Sequence, residues 1–378
     1  MQHNFFKKIT GILLVTSCLF FASCNDTSTT KKSDSDSTTM NTDTSKQTNM
    51  LKPKGPKPEW APDMTPEMQV VIEKLMSYND PALITLSAQE ARKQHSPTDA
   101  VMDVMKENNI PMPTPLCDTT GKDIPVSGGN IHLRIYTPKG DGPFPVIVYY
   151  HGGGWVIANL DTYNASAEGL AEQTNAVVVS VAYRQAPEHK FPTAHNDSYA
   201  AYEWVLKNIA TLKGDAKHVA LVGESAGGNL ACAVSMMARD KGAAMPVYQV
   251  LVYPIAGYDT TTASYTKNAT AKPLDKPLMG WFFDKYLNSP ADGKSPMISL
   301  INANLKGLPP TTIITAQYDP LQSDGEILGD KLKAAGVTVN SKTYNGVTHE
   351  FFGMATVLPE AKQAQALASS DLKSAFGK

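Results

Sequence analysis

A serine between two glycines is the feature of this chain that points most directly to chemistry. Gly223-Glu224-Ser225-Ala226-Gly227 matches the pattern G-x-S-x-G, in which a nucleophilic serine occupies a sharp turn between a strand and a helix. The flanking glycines leave room for such a turn because they have no side chains. An apolar run at 219–222 precedes the pentapeptide and a helix-like run at 229–238 follows it. The sequence therefore predicts that Ser225 is a nucleophile.

A serine hydroxyl needs a base to take its proton, and the base needs an acid to orient it. His349 follows the last candidate strand and completes the chain order Ser, acid, His, so we predict that it is the base. Asp319 follows the apolar run that ends at Ala316, and Asp324 is its competitor. Because Asp324 stands where a helix begins, we expect it to cap that helix or to interact with its dipole. Asp319 is therefore the favoured acid.

The run His151-Gly152-Gly153-Gly154-Trp155 ends another candidate strand, about 70 residues before the serine turn. Consecutive glycines let backbone N–H groups approach a ligand closely, and such groups can stabilise the oxyanion of a tetrahedral intermediate. We expect His151 to brace this loop. His189 and His195 lie in a proline-containing stretch that reads as surface, and we expect both to be structural.

Short apolar runs alternate with helical patterns after residue 121, which is typical of a mostly parallel sheet covered by helices on both faces. The candidate strands are 131–136, 146–150, 176–182, 219–222, 247–253, 312–316 and 337–344, and the candidate helices between and after them are 168–174, 196–209, 228–240, 324–335 and 359–375. In such sheets the site lies beyond the carboxyl ends of the strands. A helical pattern also covers 65–107. The segment 257–290, which carries Trp281, Phe282 and Phe283, breaks the alternation and reads as an excursion from the core.

Composition narrows the class of protein. The chain has 378 residues, of which 42% are apolar, and its net charge of −2 gives no sign of nucleic-acid binding. Four cysteines are too few for a disulfide scaffold. We expect Cys117 and Cys232 to be separate thiols, with Cys232 buried. No cluster of His, Cys and Asp has metal-ligand spacing, so we expect neither a metal nor a cofactor.

The N-terminus has the pattern of a secretion signal. Lys7 and Lys8 precede an apolar run at 9–22, which is too short to span a bilayer. Residues 21–24 resemble the bacterial lipobox, in which the cysteine is lipidated, although Phe21 stands where Leu is usual. The following residues to about 50 are almost all polar. We predict a signal peptide at 1–23, a lipid anchor at Cys24 and a disordered tether at 24–64, which together indicate a lipid-anchored protein of the bacterial cell envelope. An ordinary cleaved signal is the alternative.

Five motifs together resemble the hormone-sensitive-lipase-like esterases, the bacterial family IV of the α/β hydrolases. They are His151-Gly152-Gly153-Gly154-Trp155, Tyr183-Arg184-Gln185-Ala186-Pro187-Glu188, Gly223-Glu224-Ser225-Ala226-Gly227-Gly228, Asp319-Pro320-Leu321 and His349-Glu350-Phe351. The resemblance runs from about Asp80 to the C-terminus. Two departures are Glu224, where Asp is commoner, and Gln185, where Leu is common, and neither removes a chemical group that the reaction needs.

The resemblance implies several features that the residues alone do not. These are an oxyanion hole formed by the N–H groups of Gly153, Gly154 and Ala226, N-terminal cap helices at 65–120, and an α/β-hydrolase core at 121–378 with a second cap segment near 257–290. It also implies hydrolysis of short to medium acyl esters without a metal. We therefore expect a serine carboxylic ester hydrolase acting on a small-molecule ester. The alternatives are a carbohydrate or xenobiotic deacetylase or amidase, and a non-catalytic small-molecule binder on the same scaffold.

Overall fold

The computed structural model describes residues 51–378, and within them a single eight-stranded sheet forms the centre of the fold. Its strand order is β1-β2-β4-β3-β5-β6-β7-β8. The strands are β1 (Asp118–Val126), β2 (Gly129–Thr137), β3 (Phe144–Tyr150), β4 (Val177–Ala182), β5 (Gly214–Glu224), β6 (Tyr248–Val252), β7 (Thr311–Tyr318) and β8 (Val339–Thr348). All neighbouring strands from β4 to β8 pair in parallel, whereas β2 is antiparallel to both β1 and β4. The predicted fold, a mostly parallel sheet flanked by helices, is confirmed.

Ten α-helices accompany the sheet. They are α1 (Pro66–Ser77), α2 (Ala88–Ala91), α3 (Pro97–Glu107), α4 (Asn164–Thr174), α5 (Thr193–Lys207), α6 (Ala226–Asp240), α7 (Ala263–Lys267), α8 (Lys276–Tyr286), α9 (Gln322–Ala334) and α10 (Pro359–Ala375) within the described residues. Alternate residues of β3 show how the sheet divides the interior. Val146 and Val148 belong to one apolar core, and Ile147 and Tyr149 belong to the other. Both faces of the sheet are therefore buried.

The sequence did not predict β1. Eight of its nine residues are exposed or half-buried, because β1 is an edge strand that pairs only with β2. An edge strand of this kind lacks the apolar run from which the other strands were recognised. The predicted boundary between cap and core at residues 120 and 121 consequently falls inside a strand.

The described chain begins within the segment that we predicted to be a disordered tether. Leu51, Ala61 and Met64 are buried in the second core, and the backbone N–H of Asp63 donates to the hydroxyl of Tyr318 at 2.9 Å. The prediction of a tether reaching residue 64 was therefore wrong for 51–64, because a few apolar side chains among many prolines suffice to dock this segment on the body. The predicted signal peptide and Cys24 lie outside the described residues.

The cap consists of two groups of helices, one before the first strand and one between β6 and β7. The first contains α1, α2 and α3, and the second contains α7 and α8, which connect β6 to β7 through the predicted excursion. Arg92, at the end of α2, ties the first group to the body. It donates to the backbone oxygens of Val156 and Ala186 at 2.8 and 2.7 Å and makes a two-pronged ion pair with Glu188. No helix in residues 51–378 is long and apolar enough to cross a membrane.

Candidate active site

Ser225 occupies the sharp turn between β5 and α6. Its backbone has φ 55° and ψ −118°, a strained conformation for a residue other than glycine. The turn is held by hydrogen bonds on both sides: the Ser225 N–H donates to the Val252 oxygen at 2.9 Å, and the Ser225 oxygen accepts from Asn229 and Ile255. A Cβ at Gly227 would collide with the backbone oxygen of Tyr150, which explains why the turn needs glycine there.

Three side chains from different strand ends form a continuous hydrogen-bonded line. His349, directly after β8, has Nε2 at 2.9 Å from the Ser225 hydroxyl oxygen and Nδ1 at 2.6 Å from Oδ2 of Asp319. Asp319 directly follows β7, and its Oδ1 accepts from the N–H of Leu321 at 2.8 Å. All three residues are buried, with Ser225 the most exposed at 4%. The structure thus brings together the three residues that the sequence singled out.

The electrostatic setting of His349 favours its protonated form. Burial alone lowers the pKa of His349, but Asp319 at Nδ1 opposes this effect, and Glu350 and Glu224 add to the opposition, so that the pKa is raised above its ordinary value. An imidazole surrounded by carboxylates can take a proton from the serine and hold it while the reaction proceeds.

Asp324 makes no cap, but it lies in the first turn of α9, which agrees with the other role that we predicted, an interaction with the helix dipole. Its Oδ2 accepts from the N–H groups of Ala256 and Gly257 at 2.9 and 2.8 Å. Burial raises the pKa of Asp324 to about 7. Asp324 therefore fixes the chain after β6, and it makes no hydrogen bond to His349.

The glycine loop after β3 brings unpaired backbone N–H groups to the serine. Within the described part of the chain, the N–H groups of Gly153, Gly154 and Ala226 donate to no protein acceptor. Gly154 has φ +58°, and a Cβ there would overlap the ring of Phe282. Gly153 and Gly154 line the same cavity as Ser225, and Ala226 is the first residue of α6. These three groups are free to receive an oxyanion.

His151 braces this loop, as expected. It is buried, its Nδ1 lies 2.8 Å from the Gly152 oxygen, and its ring stacks on Tyr183 with 4.4 Å between ring centroids. Burial lowers its pKa to about 4, so it is neutral at physiological pH. His195 is structural too, but it is fully buried rather than at the surface, with its ring nitrogens near the Tyr286 hydroxyl and Asn229. The prediction of a surface position for His195 was wrong, because a proline-containing stretch of chain can also be buried.

A cavity of about 880 Å³ opens onto Ser225 and His349. Its walls come from the glycine loop and from both parts of the cap, including Leu75 and Met76 of α1 and Phe282 of α8. Trp281, which the sequence suggested as part of a roof, does not line the cavity but packs edge-to-face on Phe282 with 5.4 Å between ring centroids. Met64 and Met68 likewise belong to the core.

Beside His349 lies a set of acidic and tyrosine side chains to which no role was assigned from the sequence; all are buried except Glu350, which is half-buried. The Glu224 carboxyl accepts from Tyr149 at 2.5 Å and from Tyr253, and Glu350 accepts from Tyr163 at 2.6 Å. Burial and the nearby Glu350 raise the pKa of Glu224 to about 7. The only signal in the sequence was the presence of both glutamates inside recognised motifs.

Residues 51–378 contain no group of three His, Cys, Asp or Glu side chains able to hold a metal ion. Cys117 and Cys232 are free thiols, and Cys232 is buried.

Comparison with known proteins agrees with this geometry. A family model for the alpha/beta hydrolase fold matches residues 147–353. The carboxylesterase NlhH of Mycobacterium tuberculosis is 39% identical over 252 residues, which are 65% of this chain and 79% of that protein. The ethyl acetate hydrolase of Pseudomonas putida is 29% identical over 80% of this chain and 95% of its own length. The crystal structure of a hyperthermophilic esterase from the archaeon Pyrobaculum calidifontis superimposes with a TM-score of 0.76 at 36% identity, covering 83% of this chain and 99% of that one. The chain therefore belongs to the α/β-hydrolase family and is a serine hydrolase of the carboxylesterase type.

Proposed function

We propose that this protein hydrolyses carboxylic esters of short to medium acyl chains through an acyl-enzyme intermediate on Ser225. The observation that carries the proposal is the buried line in which His349 contacts Ser225 through one ring nitrogen and Asp319 through the other. In this arrangement His349 takes the serine proton as the hydroxyl attacks the ester carbonyl. The same proton then passes to the leaving alcohol.

Asp319 supports His349 in two ways in this mechanism. Its hydrogen bond to Nδ1 keeps the imidazole in the tautomer that presents a free Nε2 to the serine. Its negative charge stabilises the imidazolium that forms during attack. The carboxylate itself is held by the Leu321 N–H, so the ring orientation follows from the backbone after β7.

The N–H groups of Gly153, Gly154 and Ala226 form the oxyanion hole in this proposal. Their support is that none of them donates within the described part of the protein and that all three lie next to Ser225 in the chain or along the cavity wall. The loss of one such donor typically costs about 2.7–4 kcal/mol of transition-state stabilisation.

The size of the cavity supports small substrates. A volume of about 880 Å³ is within the range of small-molecule sites, and residues of both cap groups line it together with Ser225. Similarity to proteins named carboxylesterase and ethyl acetate hydrolase favours esters over amides. A deacetylase of sugars or xenobiotics remains the alternative substrate assignment, and the complete line of three residues disfavours a non-catalytic binder.

A labelling experiment tests this function. A serine-directed organophosphonate should inactivate the enzyme with one label per chain, located on Ser225 by mass spectrometry, and Ser225→Ala should be unlabelled and inactive. Ser235, a buried serine in α6 whose hydroxyl donates to Gln249 and which does not line the cavity, supplies the matched control Ser235→Ala, which should still be labelled on Ser225. Label on another residue, or full activity in Ser225→Ala, contradicts the proposal. A screen of p-nitrophenyl esters of increasing length beside acetylated sugars and anilides then assigns the substrate class.

We further propose that the protein is anchored in the bacterial cell envelope through a lipid on Cys24. The support is the N-terminal sequence alone: a short apolar run, a lipobox-like tetrapeptide and a polar stretch before the folded body. Cys24→Ala should move the protein from the membrane fraction to the soluble fraction, whereas Cys117→Ala should not. Equal distribution of the wild type and Cys24→Ala between the fractions contradicts the anchor.

A further inference from the structure

Glu350 places a carboxylate at the reacting edge of the catalytic base. Its Oε1 lies 3.8 Å from Nε2 of His349, the nitrogen that faces Ser225, and accepts a hydrogen bond from the Tyr163 hydroxyl at 2.6 Å. The other oxygen, Oε2, accepts no hydrogen bond from any described residue. The side chain is 19% exposed and lines the cavity together with Ser225 and His349. The Oε1 atom has a second lone pair, so it can accept a further hydrogen bond from a molecule in the cavity while the Tyr163 hydroxyl holds it in place.

The three carboxylates around His349 differ in what they can reach. Asp319 is fully buried behind Nδ1, and Glu224 is buried with both oxygens occupied by tyrosine hydroxyls. Neither of them lines the cavity, whereas Glu350 does. Of the three, Glu350 is thus the one able to contact a reactant.

The backbone sets this position. Glu350 has φ 71° and ψ 2°, in the left-handed region that a side chain bearing Cβ adopts rarely. It is also the residue that directly follows the base, so the same turn positions both His349 and Glu350. Tyr163, the residue before α4, also lines the cavity and fixes the carboxyl through its hydrogen bond.

We propose that Glu350 is a catalytic residue of the second half-reaction, in which it accepts a hydrogen bond from the water that hydrolyses the acyl-enzyme. This inference rests on the proposed function, because it needs an acyl group on Ser225. An oxygen atom at a hydrogen-bond distance of about 2.8 Å from both Nε2 and Oε1, which are 3.8 Å apart, would see them at an angle of roughly 85°, an angle within the reach of the two O–H bonds of one water.

In the proposed step, the hydroxyl of one water molecule goes to the acyl group and its other hydrogen goes to Ser225. The water oxygen bonds to the acyl carbon while one of its protons passes to Nε2 of His349. The bond between the acyl carbon and Oγ of Ser225 then breaks, and the proton on Nε2 moves to that oxygen. The second hydrogen of the water stays on the product acid, and until the acid leaves it is hydrogen-bonded to Glu350.

An alcohol distinguishes this role from a general effect on the base. Methanol carries one O–H hydrogen, which must go to His349, so it has no second hydrogen for Glu350. Loss of the Glu350 acceptor should therefore slow attack by water but not attack by methanol. A role of Glu350 that acts only through the fold, or only through the basicity of His349, slows both reactions equally.

The experiment uses p-nitrophenyl acetate with the full-length enzyme at pH 8 in buffer containing methanol. Burial raises the pKa of Glu350, while His349 and the Tyr163 hydroxyl oppose this and Asp319 adds to it, so an alkaline buffer is chosen to favour the ionised carboxyl. The ratio of methyl acetate to acetate and the pre-steady-state release of p-nitrophenolate are measured. In Glu350→Gln the amide oxygen takes the Tyr163 hydrogen bond, so the acceptor nearest to Nε2 becomes neutral and weaker.

We expect Glu350→Gln to keep the rate of the first turnover within about threefold and to raise the methanol-to-water ratio roughly 5- to 10-fold, as expected when a charged hydrogen-bond acceptor becomes a neutral one. Acetyl-Ser225 should accumulate and be detected by mass spectrometry. Glu224→Gln is the matched control: it also removes a carboxylate that acts on His349, but one outside the cavity, and its ratio should equal that of the wild type.

Tyr163→Phe provides a second measurement that leaves the carboxylate in place. It removes the anchor of Oε1, and the ratio should rise less than in Glu350→Gln. Unchanged ratios in both Glu350→Gln and Tyr163→Phe overturn the role of Glu350, although acylation of Ser225 in the wild type would still support the proposed function. Absence of acetyl-Ser225 in every variant, with hydrolysis continuing, overturns the proposed function itself.

Discussion

The carboxyl edge of the sheet and the cap above it hold their functional side chains in different ways. Ser225, Asp319 and His349 each directly follow a strand, and those strands are locked in register with their neighbours through main-chain hydrogen bonds. The cap reaches the cavity with side chains of short helices, and α2 is held to the body by the hydrogen bonds of Arg92 and Gln89 and by two buried alanines. The reacting groups are thus fixed by the sheet, whereas the shape of the cavity depends on separately attached pieces.

This difference has a consequence for how substitutions act. In the proposed mechanism, a change at the sheet edge alters the chemistry for every substrate, because the same three groups take part in each reaction. A change in the cap alters which substrate fits, because Leu75, Met76 and Phe282 form walls and take no part in proton transfer. A substitution in the cap that slows the reaction of every substrate equally, or one at the sheet edge that changes selectivity, would show that the two regions are coupled.

The largest effect is expected from the acid at the sheet edge. Asp319→Asn keeps the shape of the side chain but disfavours the tautomer of His349 that leaves Nε2 free, and kcat should fall by about four powers of ten. KM should change little, because Asp319 does not line the cavity. Steady-state kinetics on p-nitrophenyl acetate measure both values. A loss smaller than about tenfold would show that another group orients His349.

The residues at strand ends were also the ones that the sequence predicted. G-x-S-x-G, the aspartate after β7 and the histidine after β8 are short local patterns, and the order of strands in the chain brings them to one edge. Other features depend on contacts between distant positions. Glu350 meets Tyr163, which lies 187 residues earlier, and no local pattern records that pairing.

The incorrect predictions about the cap have the same cause, which is that they depend on contacts between distant positions of the chain. Trp281 and Phe282 are neighbours in α8, and the sequence cannot tell which of them faces the cavity until the helix is seated on the body. The structure gives that position to Phe282. Likewise, the apolar residues of 51–64 are too few to form a pattern, although Leu51, Ala61 and Met64 are buried.

Asp324 offers a second test at the sheet edge, in which stability rather than chemistry should respond. Its pKa is raised to about 7 from an ordinary value of 3.8, so the folded protein binds the proton more tightly than the unfolded chain. Stability should therefore fall as pH rises from about 4 to 7, and Asp324→Asn should flatten that fall. Thermal melting across this pH range measures the slope. Because Asp324 is not bonded to His349, kcat should stay within a few-fold of the wild type, and a loss like that of Asp319→Asn would make Asp324 part of the catalytic line.

In the cap, Phe282→Ala should change selectivity more than it changes chemistry. The ring lines the cavity and also packs against Gly154, so its removal enlarges the space above the serine. We expect kcat/KM for longer acyl chains to rise relative to acetate by up to about tenfold, as for a pocket that gains room for one or two methylenes. Trp281→Ala is the matched control, since Trp281 does not line the cavity and should mainly lower the melting temperature. Equal losses on all chain lengths in Phe282→Ala would contradict its role as a wall.

The smallest effect should come from the attachment of the cap. Arg92→Lys keeps the charge but cannot pair with Glu188 through two N–H groups while also donating to the backbone oxygens of Val156 and Ala186. The looser cap should raise KM about two- to fivefold, with kcat nearly unchanged and a melting temperature lower by a few degrees. Glu188→Gln separates attachment from direct contact, because Arg92 lines the cavity and Glu188 does not. If attachment is what matters, both variants raise KM alike. If only Arg92→Lys raises KM, then Arg92 contacts the substrate itself, and the cap contributes to binding with a charge as well as with its shape.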